Sequence, residues 1–184
     1  IKVFVSSVQK EFAQERMALC KYIREDSLLC KFFQPFIFEE LPASDINAQS
    51  AYLSHVEESE IYIGICGRDY GYEDADGISP TEREFDVATK HKCHRLVFIK
   101  SCSERHPKEV AFIRKIENSV VRKSFEDFDS LRTGIYASLV NYLEANEYLR
   151  VVPWDATLNN NVTIDEIDYN KVEKFVLLAR NKRN

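Results

Sequence analysis

The stretch IYIGIC at residues 61 to 66, followed by GRDYGYEDADGIS at 67 to 79 and PTEREFDVATK at 80 to 90, decides the fold. Its first part is apolar at nearly every position and rich in β-branched residues, as a strand covered on both faces must be. Its last part opens with Ser79-Pro80-Thr81-Glu82, a helix-start signal. Ser79 is placed to accept from the third helical amide, Pro80 fills the first helical position, and Glu82 is placed to reach back. A buried strand that feeds a helix through a polar loop is one unit of a parallel sheet.

The same unit recurs on either side. VFV at 3 to 5 and LVFI at 96 to 99 are further apolar runs, in strands expected over Lys2 to Ser6 and Arg95 to Lys100. Shorter candidates lie at Pro35 to Glu39 and Val120 to Lys123. Helical periodicity fills the intervals. Phe12, Leu19, Cys20 and Ile23 share one face while Lys10, Gln14, Lys21 and Arg24 fall elsewhere, and Leu131, Ile135, Leu139 and Leu143 repeat every fourth residue. Five strands alternating with helices predict a three-layer α/β domain of the flavodoxin-like kind, a five-stranded parallel sheet of order 2-1-3-4-5 over residues 1–148. Residues 149–184 read as a linker and an amphipathic helix. Pro153, Trp154 and Asn159 to Asn161 form the linker, and Asp168 caps a helix with Val172, Phe175, Val176 and Ala179 on one face. Ile1 already stands in an apolar run and the chain closes on a basic cluster, so a longer protein with a missing C-terminal module is expected.

Composition narrows the function classes. The 184 residues are 45% hydrophobic with 5 Gly and 5 Pro, which excludes a disordered or collagen-like chain. The formal net charge is -5. The charges of residues 151–184 cancel, so the excess acid belongs to the α/β domain and no nucleic-acid contact by this segment is expected. No apolar run approaches the roughly 20 residues of a membrane span, and no signal peptide is seen, so a cytoplasmic protein without membrane contact is expected. Cys20, Cys30, Cys66, Cys93 and Cys102 form no CxxC pair and read as reduced thiols filling small core positions.

In a doubly wound sheet, ligands bind beyond the carboxyl ends of the strands where the connection direction reverses, here between the first and third strands. Two loops meet there. One is Ser6-Ser7-Val8-Gln9, entering a helix whose first amides suit an anion. The other is Gly67 to Ser79, with Arg68, Asp69, Tyr70, Tyr72 and three of the five glycines. Ser6, Ser7, Arg68, Asp69, Tyr70 and Tyr72 are therefore the candidate ligand-binding residues, against the alternative of a merely solvated loop. Capping accounts for Glu82, whereas Glu84 stands at the mouth of the crevice beside Phe85 and is the catalytic candidate. The competing account of Glu84 is a surface acid favoured by the helix dipole. The polar stretch Glu40 to Ser50 also flanks the crevice. No metal site is expected: with Gly77 as the sixth residue of a calcium loop, Tyr72 and Arg83 stand at the first and twelfth positions, where acids are needed, and His91, Cys93 and His94 lack zinc spacing. There is no GxGxxG, Walker A or Gly-x-Ser-x-Gly signature, so P-loop NTPase, protease and metal-hydrolase chemistry is not expected.

The segments VFVSSVQKEFAQER, FIFEELPASD, YLSHVEESEIYIGICGRDYGYED, SPTEREFDVA and HRLVFIK, in that order, resemble a bacterial domain-of-unknown-function family related to the TIR domain. The resemblance implies the flavodoxin-like sheet. The tail DEIDYNKVEKFVLLARNKR is similar to the linker that in such proteins leads to an AlbA-like, Schlafen-type DNA-binding module and a RecG-like ATPase region. In TIR domains that cleave NAD, a Glu on the helix after the third strand contacts the nicotinamide ribose, and Glu84 matches it in element order. Ser6 and Ser7 match the end of the first strand, and Glu40 to Asp45 the ligand-covering loop. Pro80-Thr81-Glu82-Arg83 departs from the Trp-Cys that precedes that Glu in the family. Three functions follow as expectations. The first is a sensor or adaptor that binds a nucleotide-type ligand or self-associates to regulate its C-terminal module. The second is an NAD glycohydrolase of antiviral defence using Glu84, with NAD or a related nucleotide as substrate. The third is a dimerisation module.

Overall fold

A computed structural model describes residues 1–40 and 48–149, with side chains given for 1–39 and 52–149. Five parallel strands, β1 (Lys2–Ser7), β2 (Gln34–Phe36), β3 (Ile61–Cys66), β4 (His94–Lys100) and β5 (Arg122–Phe125), lie in the order β2-β1-β3-β4-β5. This is the flavodoxin-like arrangement. The register sets Ser6 beside Gly64 and Ser7 beside Ile65, so β1 and β3 end together. The helices are α1 (Gln9–Glu25), α2 (Ala48–Glu57), α3 (Pro80–Lys90), α4 (Pro107–Glu117) and α5 (Phe128–Ala145).

Alternation along the strands builds two apolar layers. On one face Phe4, Tyr62, Val97 and Ile99 pack with Val56 of α2, Phe85 and Ala88 of α3, and Phe112, Ile113 and Ile116 of α4. On the other, Phe12 of α1 meets Phe125 with ring centroids 6.4 Å apart. The expected stripes are buried as well: Phe12, Leu19, Cys20 and Ile23 on α1, and Leu131, Ile135, Leu139 and Leu143 on α5. The α1 stripe holds one charged member, since Arg16 is buried with it.

Several expectations need correction. The last strand begins two residues later than Val120 to Lys123, because Val121 is 96% exposed and Phe125 makes the inward contact. The second strand is Gln34–Phe36, and Phe38–Glu40 forms a 3-10 turn. Ala48 to Ser50, read as loop, open α2, whereas 41–47 lie outside the described residues. Cys30 is exposed and so is no core residue, while Cys20, Cys66 and Cys93 are buried; none of the five cysteines is in a disulfide. The chain divides into two compact units, Ile1–Asn141 and Tyr142–Asn184. Of the second unit the described part is the end of α5 and a closing turn in which Tyr148 N–H donates to Leu143 O at 2.8 Å. The linker and helix expected over 149–184 lie outside the described residues, apart from Leu149. No helix among the described residues is long and apolar enough to cross a membrane.

Candidate active site

A cleft of about 840 Å³ opens at the carboxyl ends of β1 and β3, where the crossover direction reverses. The β1–α1 junction contributes Ser7, Val8, Gln9, Lys10 and Arg16. The β3–α3 loop contributes Asp69, Tyr70, Gly71, Tyr72 and Asp74, and α3 contributes Pro80, Thr81 and Glu84. Phe38, Tyr52 and His106 complete the lining. Phe38 and Tyr52 meet edge to face with centroids 5.9 Å apart, an aromatic wall that the sequence reading missed.

Glu84 is 8% exposed, not the surface acid of the competing account. Its place follows from helix spacing: Thr81, Glu84, Phe85 and Ala88 share the buried face of α3. Phe85 and Ala88 turn into the core, while Thr81 and Glu84 border the cleft. The Ser6 hydroxyl, from the end of β1, donates to Glu84 Oε2. Burial pushes the Glu84 carboxyl up from 4.5 to about 7. The Ser6 hydrogen bond and the charge of Arg16 hold it down in part, and Glu39 adds to the rise. At neutral pH both the protonated and the ionised form of this acid are populated.

Ser6 and Ser7 point opposite ways, as neighbours on a strand do. Ser6 is fully buried and reaches the cleft only through Glu84. The Ser7 carbonyl accepts from Arg16 Nη1 at 3.0 Å, and Arg16 Nη2 donates to Glu39 Oε2 at 2.9 Å. Two buried polar atoms beside this contact, Ser7 Oγ and Arg16 Nε, have no hydrogen-bond partner among the described residues.

The β3–α3 loop is held from three directions. The Glu11 carboxylate accepts from the amides of Arg68 at 2.8 Å and Asp69 at 2.9 Å. Glycine at 67 leaves room for this carboxylate, since a Cβ there would lie 2.2 Å from Glu11 Oε1 and displace it. Gly71 has φ of +86° and lies against Val8, so its turn also favours glycine. Arg105 donates to the carbonyls of Gly67 and Lys100. Behind the loop, Glu109 of α4 is buried, and burial together with the nearby Glu11 charge lifts its carboxyl to about 8. Farther along, the Asp74 carboxylate accepts from the amides of Asp76 at 2.9 Å and Ile78 at 3.1 Å and pairs with Arg83, which draws its pKa down to about 2.

The expected capping box is half right. The Ser79 hydroxyl accepts from Glu82 N–H at 3.2 Å. The Ser79 amide, however, donates to the Tyr70 hydroxyl at 3.2 Å, and the Tyr70 hydroxyl donates to Glu82 Oε2 at 2.5 Å. Tyr70 therefore stands between the two partners of the box, and Lys115 occupies the other Glu82 oxygen at 2.8 Å.

The structure thus brings Ser7, Asp69, Tyr70, Tyr72 and Glu84 to one cleft. Tyr72 is 77% exposed at its edge. Arg68 is exposed and outside the lining, and it enters the site only through its backbone. α1 is kinked at Phe12, where φ and ψ leave the helical range. The residues missed from sequence are Arg16, Phe38 and Tyr52. Arg16 had a signal, since 12, 16, 19, 20 and 23 are one helical face. The His91, Cys93 and His94 cluster is structural in part: Cys93 donates to the Ser59 carbonyl at 3.1 Å and His91 pairs with Glu57 at 3.5 Å.

A family model described as "Domain of unknown function (DUF4062)" matches residues 2–140. The chain belongs to this family. No curated protein matches it in sequence. Among solved structures it is similar to a CMP N-glycosidase, BcmB, of Clostridium botulinum, at 12% identity and a TM-score of 0.49, covering 74% of this chain and 99% of that one. It is also similar to oxidised flavodoxin 1 of Bacillus cereus, at 16% identity and a TM-score of 0.39, covering 77% of this chain and 97% of that one.

Proposed function

We propose that the cleft binds a nucleotide and that Glu84 promotes cleavage of its N-glycosidic bond, with NAD or a related nicotinamide nucleotide as substrate. The observation that carries this reading is a carboxyl buried at the wall of an open cleft, with a serine hydroxyl as its hydrogen-bond partner among the described residues. Burying a carboxyl without an ion pair costs several kcal/mol, roughly, and groups held at such a cost are concentrated at functional sites.

The chemistry fits one carboxylate. Glycosides with poor leaving groups need a second acid to protonate the departing atom. A nicotinamide N-glycoside needs none, because its C1′–N bond breaks with both electrons passing to the cationic ring nitrogen, and the base leaves neutral. The positive charge left on the sugar faces the Glu84 carboxylate, which is ionised in about half the molecules at pH 7. Water then adds its oxygen to C1′ and gives up a proton, which the same carboxylate is placed to accept. Phe38 and Tyr52 supply an aromatic surface for the leaving ring.

A sensor that binds the same nucleotide without cleaving it shares the cleft but has no use for a half-ionised acid. We place the domain in the cytoplasm, where nicotinamide nucleotides are found, with self-association or an attached C-terminal DNA-binding or ATPase module as the means of control. The deciding assay is nicotinamide release from NAD and from nicotinamide mononucleotide by the full chain, at low and high protein concentration. Glu84→Ala is expected to lower release about 100-fold or more. Release unchanged in the variant, or none from the unaltered protein at any concentration, overturns the reading.

A further inference from the structure

The polar groups of the cleft divide by element. The carboxyl of Glu84 comes from α3, whereas Ser7, Lys10 and Arg16 all come from the β1–α1 segment. Arg16 is a buried cation, 5% exposed, and Ser7 is buried to the same degree. Arg16 spends Nη1 on the Ser7 carbonyl and Nη2 on Glu39, which leaves the Nε–H unused. The Ser7 hydroxyl beside it is unused as well. A buried donor without an acceptor costs about 1–3 kcal/mol, so two of them on residues that line one cleft point to a group that completes them. Lys10, exposed at the rim, adds a further cationic donor without burial.

The three donors suit an acceptor-rich anion. Neither Ser7 Oγ–H nor Arg16 Nε–H has an acceptor among the described side chains, and Glu39 neutralises only one end of the guanidinium. The acid of the first turn does not compete, because Glu11 is directed to the amides of Arg68 and Asp69. Consecutive residues of β1 thus have separate tasks: the Ser6 hydroxyl donates to Glu84, and the Ser7 carbonyl accepts from Arg16.

Given the nucleotide reading above, on which this step rests, we infer that Ser7, Lys10 and Arg16 form a phosphate subsite, so that the ligand is a nucleotide 5′-phosphate rather than a nucleoside. The Ser7 and Arg16 side chains, buried in the empty cleft, turn towards the phosphate oxygens so that these complete the Ser7 hydroxyl and the Arg16 Nε–H and approach the Lys10 ammonium. The sugar is thereby placed beside Glu84, one strand residue away. Arginine serves here by its fork: two donors fix the protein and the third meets the ligand.

The test uses the full 184-residue chain carrying Glu84→Gln, which binds without turnover, titrated by calorimetry with nicotinamide mononucleotide and with nicotinamide riboside. Backbone amide spectra are recorded with the same ligands and with inorganic phosphate. The mononucleotide is expected to bind about tenfold more tightly or better, the increment of one charge-assisted hydrogen bond. Adding Lys10→Ala, an exposed position whose loss leaves folding intact, is expected to remove much of that advantage and leave riboside affinity unchanged. Adding Arg16→Lys, which keeps the charge but replaces the fork by one ammonium, is expected to weaken the mononucleotide more than the riboside. The Ser7 and Lys10 amide signals are expected to move with the mononucleotide and with inorganic phosphate.

Equal affinity for the two ligands, or equal weakening of both by Lys10→Ala, overturns the phosphate subsite even where the unaltered protein releases nicotinamide, and leaves the Glu84 reading standing. Phosphate-dependent binding that Lys10→Ala abolishes, without any nicotinamide release, upholds the subsite and overturns cleavage. No change in any cleft signal with any of the three probes overturns both.

Discussion

Glu84→Gln is expected to stabilise the protein above neutral pH and to leave it nearly unchanged in acid. Below pH 4.5 the carboxyl is protonated in both the folded and the unfolded chain, and its burial costs no charge. Between pH 4.5 and about 7 the unfolded chain releases the proton while the folded one retains it, so stability falls as pH rises. Above about 7 the group is ionised in both states and the whole penalty stands. A rise from 4.5 to about 7, at about 1.4 kcal/mol for each tenfold change in proton affinity, amounts to about 3 kcal/mol. Glutamine matches the neutral acid in shape and still accepts from the Ser6 hydroxyl, so it carries no such penalty. For a chain of this size the gain corresponds to about 6–12 °C in Tm at pH 8.5. Thermal unfolding of both proteins from pH 4 to 9 is the assay, and the quantity that matters is their difference. Glu109, whose carboxyl also titrates late, contributes to both curves and cancels. A difference that is constant across the range refutes the reasoning, because it means that the Glu84 proton is not held by burial. The same variant is expected to lack nicotinamide release, which makes the site one where stability is given up for function.

Four other outcomes are expected. Ser6→Ala removes the hydroxyl that favours ionised Glu84, so the rise of nicotinamide release with pH moves to higher pH; a profile that stays in place refutes the role given to Ser6. Gly67→Ala puts a methyl 2.2 Å from Glu11 Oε1 and displaces that flexible carboxylate from two amides, which costs about 1–3 kcal/mol; hydrogen exchange at Arg68 and Asp69 is expected to quicken, and unchanged protection counts against it. Tyr70→Phe deletes the hydroxyl between the Ser79 amide and Glu82, with a loss of about 1–2 kcal/mol in urea unfolding; no loss would mean that water replaces it. Leu139→Ala empties a fully buried position on α5 and is expected to cost about 2–5 kcal/mol in the same urea measurement.

The sheet centre was legible because β1, β3 and β4 are covered on both faces along their middles and so carry unbroken apolar runs there, and β3 was placed to the residue. The edges were not. β5 is exposed over Arg122, Lys123 and Ser124, so nothing in its composition marks it as a strand, and the more apolar Val120 and Val121 drew the expectation two residues early. The site was legible in outline, since the topology locates the crevice without a motif and the order of elements brings Glu84 to it. Its burial was also readable, from the spacing of Thr81, Glu84, Phe85 and Ala88, but an acid in the second turn suggests solvent by habit of composition. The Tyr70 bridge was not readable, because it depends on how the Gly67 to Ser79 loop folds back on the helix it precedes. Phe38 and Tyr52 belong to elements that flank residues 41–47, and their meeting is a tertiary event with no sequence period behind it.

The two edges of the sheet bear on how copies of this protein can meet. An exposed strand edge offers unpaired amides and carbonyls to any strand that approaches, and such pairing propagates without limit. Here β2 is three residues long and carries Pro35, which has no amide to donate, while β5 begins with Arg122 and Lys123 side by side. Both rims are therefore poor templates, one by geometry and one by charge repulsion. Among the described residues, any closed dimer is directed to helical surfaces, and its formation would leave the five strands undisturbed.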